Sequence, residues 1–331
     1  MSIQGISGTV KWTLDDEGVL LFEPIDGKEG AFADTKNWSN RNWVDYSKSI
    51  KQIKSLGKIN LNSNSSYMFY GCTSLTSLDG LENWNAQNVI DMWGMFQGCT
   101  SLANIDGLKN WSTTNITTMY NMFKGCTSLV NLDGLDDWNT SNVTDMYGLF
   151  HNCISLANLD SLKDWNTKNV TDMYGMFQGC TSLANIDGLK RWNISNTIYM
   201  SYMFSDCTSL TNLDGLKRWD TSKVIDMSCM FQGCASLTDL NGLKDWDTSN
   251  VTHIYSMFYR CSSLISLENL KNWNTHNVVD TRNIFTDCNS LAVTSCNTNK
   301  NVVSGFISNK IANKTFSQAH KVKTTGKKSF Q

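Results

Sequence analysis

The sequence holds a single proline, Pro24, in 331 residues, so its turns must be made by other residues. Charged residues are scarce at 18%, while 40% are apolar, which excludes wholesale disorder. No apolar run approaches about 18 residues, so no segment reads as a membrane-spanning helix. A net charge of −2 argues against a dedicated nucleic-acid binder. The start, MSIQGISGTVKW, lacks the basic head and apolar stretch of a secretion leader. That fits a cytoplasmic chain or one whose leader has been removed. Catalytic signatures are missing too: there is no H-E-x-x-H, no G-x-S-x-G and no phosphate-cradling glycine loop. His151, His253, His276 and His320 sit in unlike contexts without an adjacent nucleophile motif. An enzyme is therefore not expected, and neither is a cofactor.

What is present is a repeat. Cysteines stand at 72, 99, 126, 153, 180, 207, 234, 261 and 288, always 27 residues apart. Tryptophans stand at 84, 111, 138, 165, 192, 219, 246 and 273 with the same spacing. One unit reads CTSLANIDGLKNWSTTNITTMYNMFKG (99–125), with its cysteine as position 1. Eight full units run from Cys72 to Asp287, and a ninth begins at Cys288 and decays by Val293. Positions 4, 7, 10 and 13 read Leu, Leu/Ile, Leu and Trp; positions 18, 21 and 24 read mostly Val/Ile, Met and Met; position 25 is Phe. Spacing by three fits neither a lone amphipathic helix nor a long strand, but a short coil that turns every few residues. Each coil leaves apolar edges that only the next can cover, which is the logic of a solenoid. The expected unit has a short strand near positions 4–8, an Asp-Gly turn, an extended piece through the Trp and a second at 17–20. A single helical turn over the MFxGC stretch completes it. Eight or nine parallel short strands would then line one face, giving a right-handed rod roughly 40 Å long at about 4.8 Å per coil.

The stretch Val143, Met146, Leu149, Phe150, Cys153, Leu156 and Leu159 resembles the BspA-type leucine-rich repeats of bacterial surface proteins. The phrase W-N-T-S-N-V-T-D-M (138–146, varied at 165–173 and 246–254) is similar to their mycoplasma and lactobacillus branch. The resemblance covers about 65–288; the 27-residue length and the D-G-L-K-x-W insert depart from it. It implies a leucine-rich-repeat-like solenoid, cell-surface placement, adhesion or host contact, and no catalysis.

Three segments follow: an N-terminal β-rich cap (1–64), the solenoid (65–293), and a basic C-terminal cap and tail (294–331). In the first, GTVKWTL (8–14) and VLLFEPI (19–25) read as two strands joined by a tight loop. WVDYSKSIKQI (43–53) has roughly helical apolar spacing. After Asp287 there are seven Lys and no acid, so residues 1–287 carry −9 (−2 minus +7).

The cysteine ladder (Cys99, Cys126, Cys153, Cys180, Cys207 and Cys234 in mid-array) reads as core thiols, because close metal-type pairs are absent from it. No metal is expected. Cys229 and Cys296 fall outside the ladder and should be the more reachable thiols. The tryptophan ladder (Trp111, Trp138, Trp165, Trp192, Trp219 and Trp246) reads as a stacked structural edge. A binding face is sought where the unit varies. Position 22 carries Trp93, Tyr120, Tyr147, Tyr174 and Tyr255; position 20, expected to point outward, carries Asp91, Asp145, Asp172 and Asp226. Aromatics beside carboxylates could hold a sugar or an extended peptide, or could simply shield and solubilise the rod. The Asn column at position 6 reads as a turn-forming ladder.

The function these features point to is non-catalytic binding: a bacterial cell-surface or secreted adhesin recognising host or cell-surface protein or glycan. The alternative is an intracellular scaffold or effector, and a weaker one is a carbohydrate-active enzyme. Nothing in the sequence specifies an oligomeric state.

Overall fold

The computed structural model describes residues 2–33, 43–293 and 304–306. The chain opens with β1 (Ile3–Ser7), β2 (Val10–Leu14) and β3 (Val19–Pro24), an antiparallel meander. On β2, Val10, Trp12 and Leu14 are buried while Lys11 and Thr13 are half-exposed, the alternation of a strand with one wet face. A fourth strand, β4 (Glu29–Ala31), follows. The helical spacing read at 43–53 is realised as a 3₁₀ segment over Val44–Ser49, after which β5 (Gln52–Ser55) adds to β3 in parallel. Tertiary pairing with β3 thus overrides the helical pattern, and Ile53 enters the core from a strand. β4, β6 (Lys58–Asn60) and β7 (Trp84–Asn85) form a second, parallel sheet that runs into the first full repeat.

The two parts share one core. Phe22 lies edge-on to Trp43, Trp84 and Phe69, with ring centroids 5.0, 5.3 and 6.4 Å away. From Phe69 a column of phenylalanines runs along the axis through Phe96, Phe123, Phe150, Phe177, Phe204, Phe231, Phe258 and Phe285. Mid-column neighbours are stacked at 5.7 Å. At the far end Phe306 meets Phe285 edge-on at 5.7 Å, beside the short helix α1 (Asn289–Val293). Cys296, His320 and nearly all of the basic end lie outside the described residues.

The coil is built differently from the expected strand-and-helix unit. Among the described residues the short strand near positions 4–8 is reduced to one bridge, Ser77 with Asn104, and Asp-Gly-Leu (Asp106–Leu108, Asp133–Leu135 and equivalents) makes a 3₁₀ turn at positions 8–10. The MFxGC stretch is not helical. The reason lies in the three-residue spacing itself, which is the repeat of a 3₁₀ turn rather than of a strand. Inward residues bond one another's backbones in sequence: Cys126 N–H donates to Phe123, Leu129 to Cys126, Leu135 to Leu132 and Trp138 to Leu135. Each corner is thereby closed, and every third side chain points into the core.

Parallel pairing survives as a line of single-residue bridges at position 20, from Asn64 through Asp91, Thr118, Asp145, Asp172, Tyr199, Asp226 and His253 to Asp280. Beyond it the backbone bonds coil to coil. Met119, Asn121, Phe123 and Gly125 donate N–H groups to Asp145, Tyr147, Leu149 and His151 of the next coil, at 2.7–3.1 Å. Aiming alternate N–H groups along the axis bends positions 23 and 27 into the left-handed region. Gly, Asn or Asp hold most of these sites, while Tyr67, Tyr202, Cys229, Ser256 and Arg260 adopt the same positive φ.

The Asp-Gly pair has a second reason beyond turn-making. A Cβ on Gly134 would sit 2.0 Å from the Ile105 carbonyl oxygen of the preceding coil, so glycine sets how closely coils approach. The Asn column caps the same turn: Asp106, Asp160 and Asp187 donate N–H groups to Asn104, Asn158 and Asn185 Oδ1 at 2.7, 3.2 and 2.6 Å. Position 17 ties coils from the other side, with Asn115, Asn142 and Asn169 Nδ2 donating to carbonyls of the preceding coil at 2.7–2.8 Å.

Candidate functional site

The two ladders are internal. Cys99, Cys126, Cys153, Cys180, Cys207 and Cys234 are fully buried, and each thiol donates to the Phe carbonyl of the preceding coil at 3.1–3.2 Å. Burial pushes the Cys180 thiol up to about 12 and raises Cys153, Cys207 and Cys234 in the same direction. Trp111, Trp138, Trp165, Trp192, Trp219 and Trp246 are buried, and each indole N–H donates to the position-10 Leu carbonyl of the preceding coil at 2.8–3.2 Å. Among the described residues all ten cysteines are free and no group of three metal-ligating side chains forms. The expected outcome of thiol titration is that a small disulfide reagent labels almost none of these cysteines in the native protein and all of them in denaturant. Prompt native labelling would show that the ladder is open.

Cys229 corrects the expectation of a reachable thiol. It is 2% exposed, because the rings of Tyr202 and Tyr255 close over it from the coils on either side. Its thiol lies 3.7 Å from the Tyr255 carbonyl oxygen.

The position-22 aromatics are brought together in one row. Trp93 meets Tyr120 edge-on at 5.1 Å; Tyr120 stacks on Tyr147 at 4.5 Å, and Tyr147 on Tyr174 at 4.6 Å, with planes 9° and 5° apart. The row extends past the residues that position 22 predicts. Tyr67 joins Trp93 at 5.3 Å, with Tyr70 beside it, and Tyr202 joins Tyr174 at 5.3 Å. Tyr67 and Tyr202 occupy position 23 in coils where position 22 is Ser66 or Ser201. The signal is the serine at 66 and 201, where the next residue supplies the ring; after Ser228 the next residue is Cys229 and none is supplied. Tyr255 stands apart from the stack and reaches Tyr202 only through the two hydroxyls, 3.3 Å apart.

Mid-row, each ring face is covered by its neighbours, so edges and hydroxyls are what the row presents. Packing the phenols side by side disfavours their ionisation. Desolvation first, then the adjacent Tyr120 and Tyr174, push Tyr147 up to about 12. Tyr174 shifts the same way, led by desolvation. The hydroxyls therefore remain donors throughout the ordinary pH range.

The position-20 carboxylates differ from the outward-pointing set expected. They lie on the bridge line, half-buried, and each turns one oxygen back to its own backbone. Asp91, Asp145, Asp172 and Asp226 Oδ1 accept the N–H groups of Trp93, Tyr147, Tyr174 and Ser228 at 2.8–2.9 Å. They fix the turn that carries the aromatic two residues on. Burial raises Asp145 and Asp172, the N–H groups of Tyr147 and Tyr174 oppose it, and Asp91 and Asp145 respectively add to it. A carboxylate raised in the folded state is released first by the unfolded chain. Stability contributed by these groups thus falls as pH rises above the ordinary value of 3.8 and stays lower beyond the raised one. Asp172→Asn keeps the acceptor and removes the charge; it should match or exceed the wild-type Tm at pH 7, whereas Asp172→Ala should lower it. Thermal melts at pH 3 and pH 7 check this, and equal losses for both variants would refute it.

Basic side chains at positions 11 and 12 pair with acids at the surface, as Lys190 with Asp187, Lys217 with Asp214 and Arg191 with Asp164, all at 2.9 Å. These exposed pairs add little stability. No helix among the described residues is long and apolar enough to cross a membrane.

Comparison with solved structures finds leucine-rich repeat proteins at low overall superposition. One from Eubacterium ventriosum shares 16% identity over 87% of this chain and 95% of its own, with a TM-score of 0.29. A leucine-rich cell surface protein of Faecalibacterium prausnitzii shares 14% over 87% and 93%, with a TM-score of 0.30. No curated protein matches the chain. Residues 40–134, 63–186, 126–215 and 209–327 each match one family, which spans the repeats from end to end. By those matches the chain belongs to DUF285, the family described as mycoplasma protein of unknown function.

Proposed function

We propose that this chain is a non-catalytic binding protein that meets a partner protein along its aromatic row. The observation that carries the reading is the stacked run Trp93–Tyr120–Tyr147–Tyr174 on the flank of the rod. Tyrosines in a fixed row give contact area and hydrogen-bond donors at small cost in conformational entropy. Their covered faces leave no platform on which a sugar ring could lie mid-row, so an extended polypeptide is favoured over glycan. The carboxylates that a glycosidase would need are engaged in holding the backbone, which weighs against hydrolysis. The BspA-type repeat pattern supports an adhesin at a bacterial surface or secreted from it, with host or cell-surface protein as partner. A right-handed coil of eight to nine units, capped at 1–64 and closed by 294–331, completes this reading.

A cytoplasmic scaffold is the second reading, favoured by ten described cysteines that are all free. Localising the native product separates the two. For the row itself, the test is the double change Tyr120→Ser and Tyr147→Ser, since serine already occupies position 22 at Ser201 and Ser228. Beads coated with this variant should lose adhesion to host cells while its Tm stays near wild type. Unchanged adhesion would overturn the row as the contact surface, and adhesion abolished by glycosidase treatment of the cells would move the partner to glycan.

A further inference from the structure

The aromatic row has one missing ring, and the surroundings of that gap point to a specific use. Position 22 is Tyr174 in one coil and Tyr255 three coils on, with Ser201 and Ser228 between. Tyr202 leans onto Tyr174 at 5.3 Å and fills the first vacancy. The second, at Ser228, has no ring of its own. Tyr202 and Tyr255 span it, their hydroxyls meeting at 3.3 Å across the intervening coil.

Beneath that span the chemistry is unsatisfied. Ser228 is fully buried, and its Oγ has no hydrogen-bond partner. A buried hydroxyl left without a partner costs about 1–3 kcal/mol. Ser228 holds the position from which four other coils send a tyrosine into the row, and beside it the buried Cys229 thiol lies under the two phenols. Tyr202 and Cys229, the residues flanking the gap on successive coils, both sit at positive φ (60° and 56°), a backbone strained for these side chains. On the outer side Tyr199 is 47% exposed, where other coils carry aspartate. The hydroxyls of Tyr202 and Tyr255 bond each other and the Cys229 thiol, all neutral contacts that side-chain rotation exchanges when the span opens.

We propose that the Ser228 gap is a receptor for one aromatic side chain of the partner, a tyrosine or another phenol-like ring. The incoming ring parts Tyr202 from Tyr255 and lies over Cys229, in the coil where the row has no ring. It stacks at the spacing that the row already keeps, 4.5–4.6 Å, and its entry gives the two freed phenols and the Ser228 hydroxyl new partners. Offset-stacked aromatic pairs carry attraction beyond the area they bury. The inference deepens the reading of the row as a contact surface: the row supplies the length of the interface, and the gap supplies its anchor.

The test uses the full chain and p-cresol as probe, followed by NMR chemical-shift perturbation. Wild type should bind it weakly and saturably. Ser228→Tyr, which installs the side chain that four of the eight coils carry at this position, should weaken binding by about tenfold or more, while Tyr202→Ala, which removes half of the cover, should tighten it. Thermal melts establish that both variants fold; if Ser228→Tyr does not, Ser228→Phe and the Tyr202→Ala comparison carry the same decision. Equal affinity in wild type, Ser228→Tyr and Tyr202→Ala, or no saturable binding to wild type and Tyr202→Ala, overturns the receptor. The row reading fails separately, when the Tyr120 and Tyr147 double variant keeps full adhesion.

Discussion

Trp165→Ala is expected to lower the free energy of unfolding by ~3–5 kcal/mol, the range for truncating a large core aromatic. Trp165 is 3% exposed, and its ring stacks on Trp192 at 6.4 Å. The loss has two parts. Truncation leaves a cavity between coils that the stacked neighbours cannot collapse into without shifting their own backbone bonds. It also removes one of the two N–H donors to the Leu135 carbonyl, which accepts the indole N–H at 3.0 Å and the Trp138 backbone N–H at 3.2 Å. Trp165→Phe separates them, since it retains most of the packing and loses the bond; the lost bond should cost about 0.5–1.5 kcal/mol. Urea denaturation with tryptophan fluorescence and circular dichroism measures both. A near-zero effect for Trp165→Ala would place the ring at the surface and dissolve the ladder as a source of stability.

Much of this architecture was legible because it is written as a period. Identical lengths must stack identical positions, so the Cys, Trp and Phe columns follow from counting. Local conformation was less legible. Apolar residues at every third position (Leu102, Ile105, Leu108, Trp111) were read as short strands, yet three is the repeat of 3₁₀ turns, and those turns close the corners. The site was half legible. Trp93, Tyr120, Tyr147 and Tyr174 emerge from one column, whereas Tyr67 and Tyr202 sit one residue off it and become visible only beside their serines. Cys229 was misjudged for the same reason: its cover comes from Tyr202 and Tyr255, on the two adjacent coils. The aspartates at position 20 look like ligands in the sequence because their role, holding the N–H two residues on, is a backbone relation that composition does not display.

The largest effect expected of any change concerns the length of the coil itself. If each coil is held by bonds to its two neighbours, the chain tolerates removal of whole units and nothing else. Deleting residues 126–152 joins Gly125 to Cys153 and brings Tyr120 onto Tyr174, Phe123 onto Phe177 and Trp111 onto Trp165, with every column intact. The Phe123 and Gly125 N–H groups, which donate to Leu149 and His151 in the full chain, would find Met176 and Gln178 in equivalent places. Deleting residues 126–138 removes about half a coil. It sets Cys99 against Asn139 and Phe123 against Lys163 where the two parts meet, and leaves the inter-coil N–H groups there facing the wrong carbonyls.

A urea-unfolding comparison of these two deletions tests the account most directly. Removal of 126–152 should preserve the circular dichroism spectrum and a single cooperative transition, shifted only modestly. Removal of 126–138 should abolish cooperative unfolding or leave only the part before the cut folded. Equal behaviour of the two deletions, whether both fold or both fail, would contradict a solenoid held together by coils in 27-residue register.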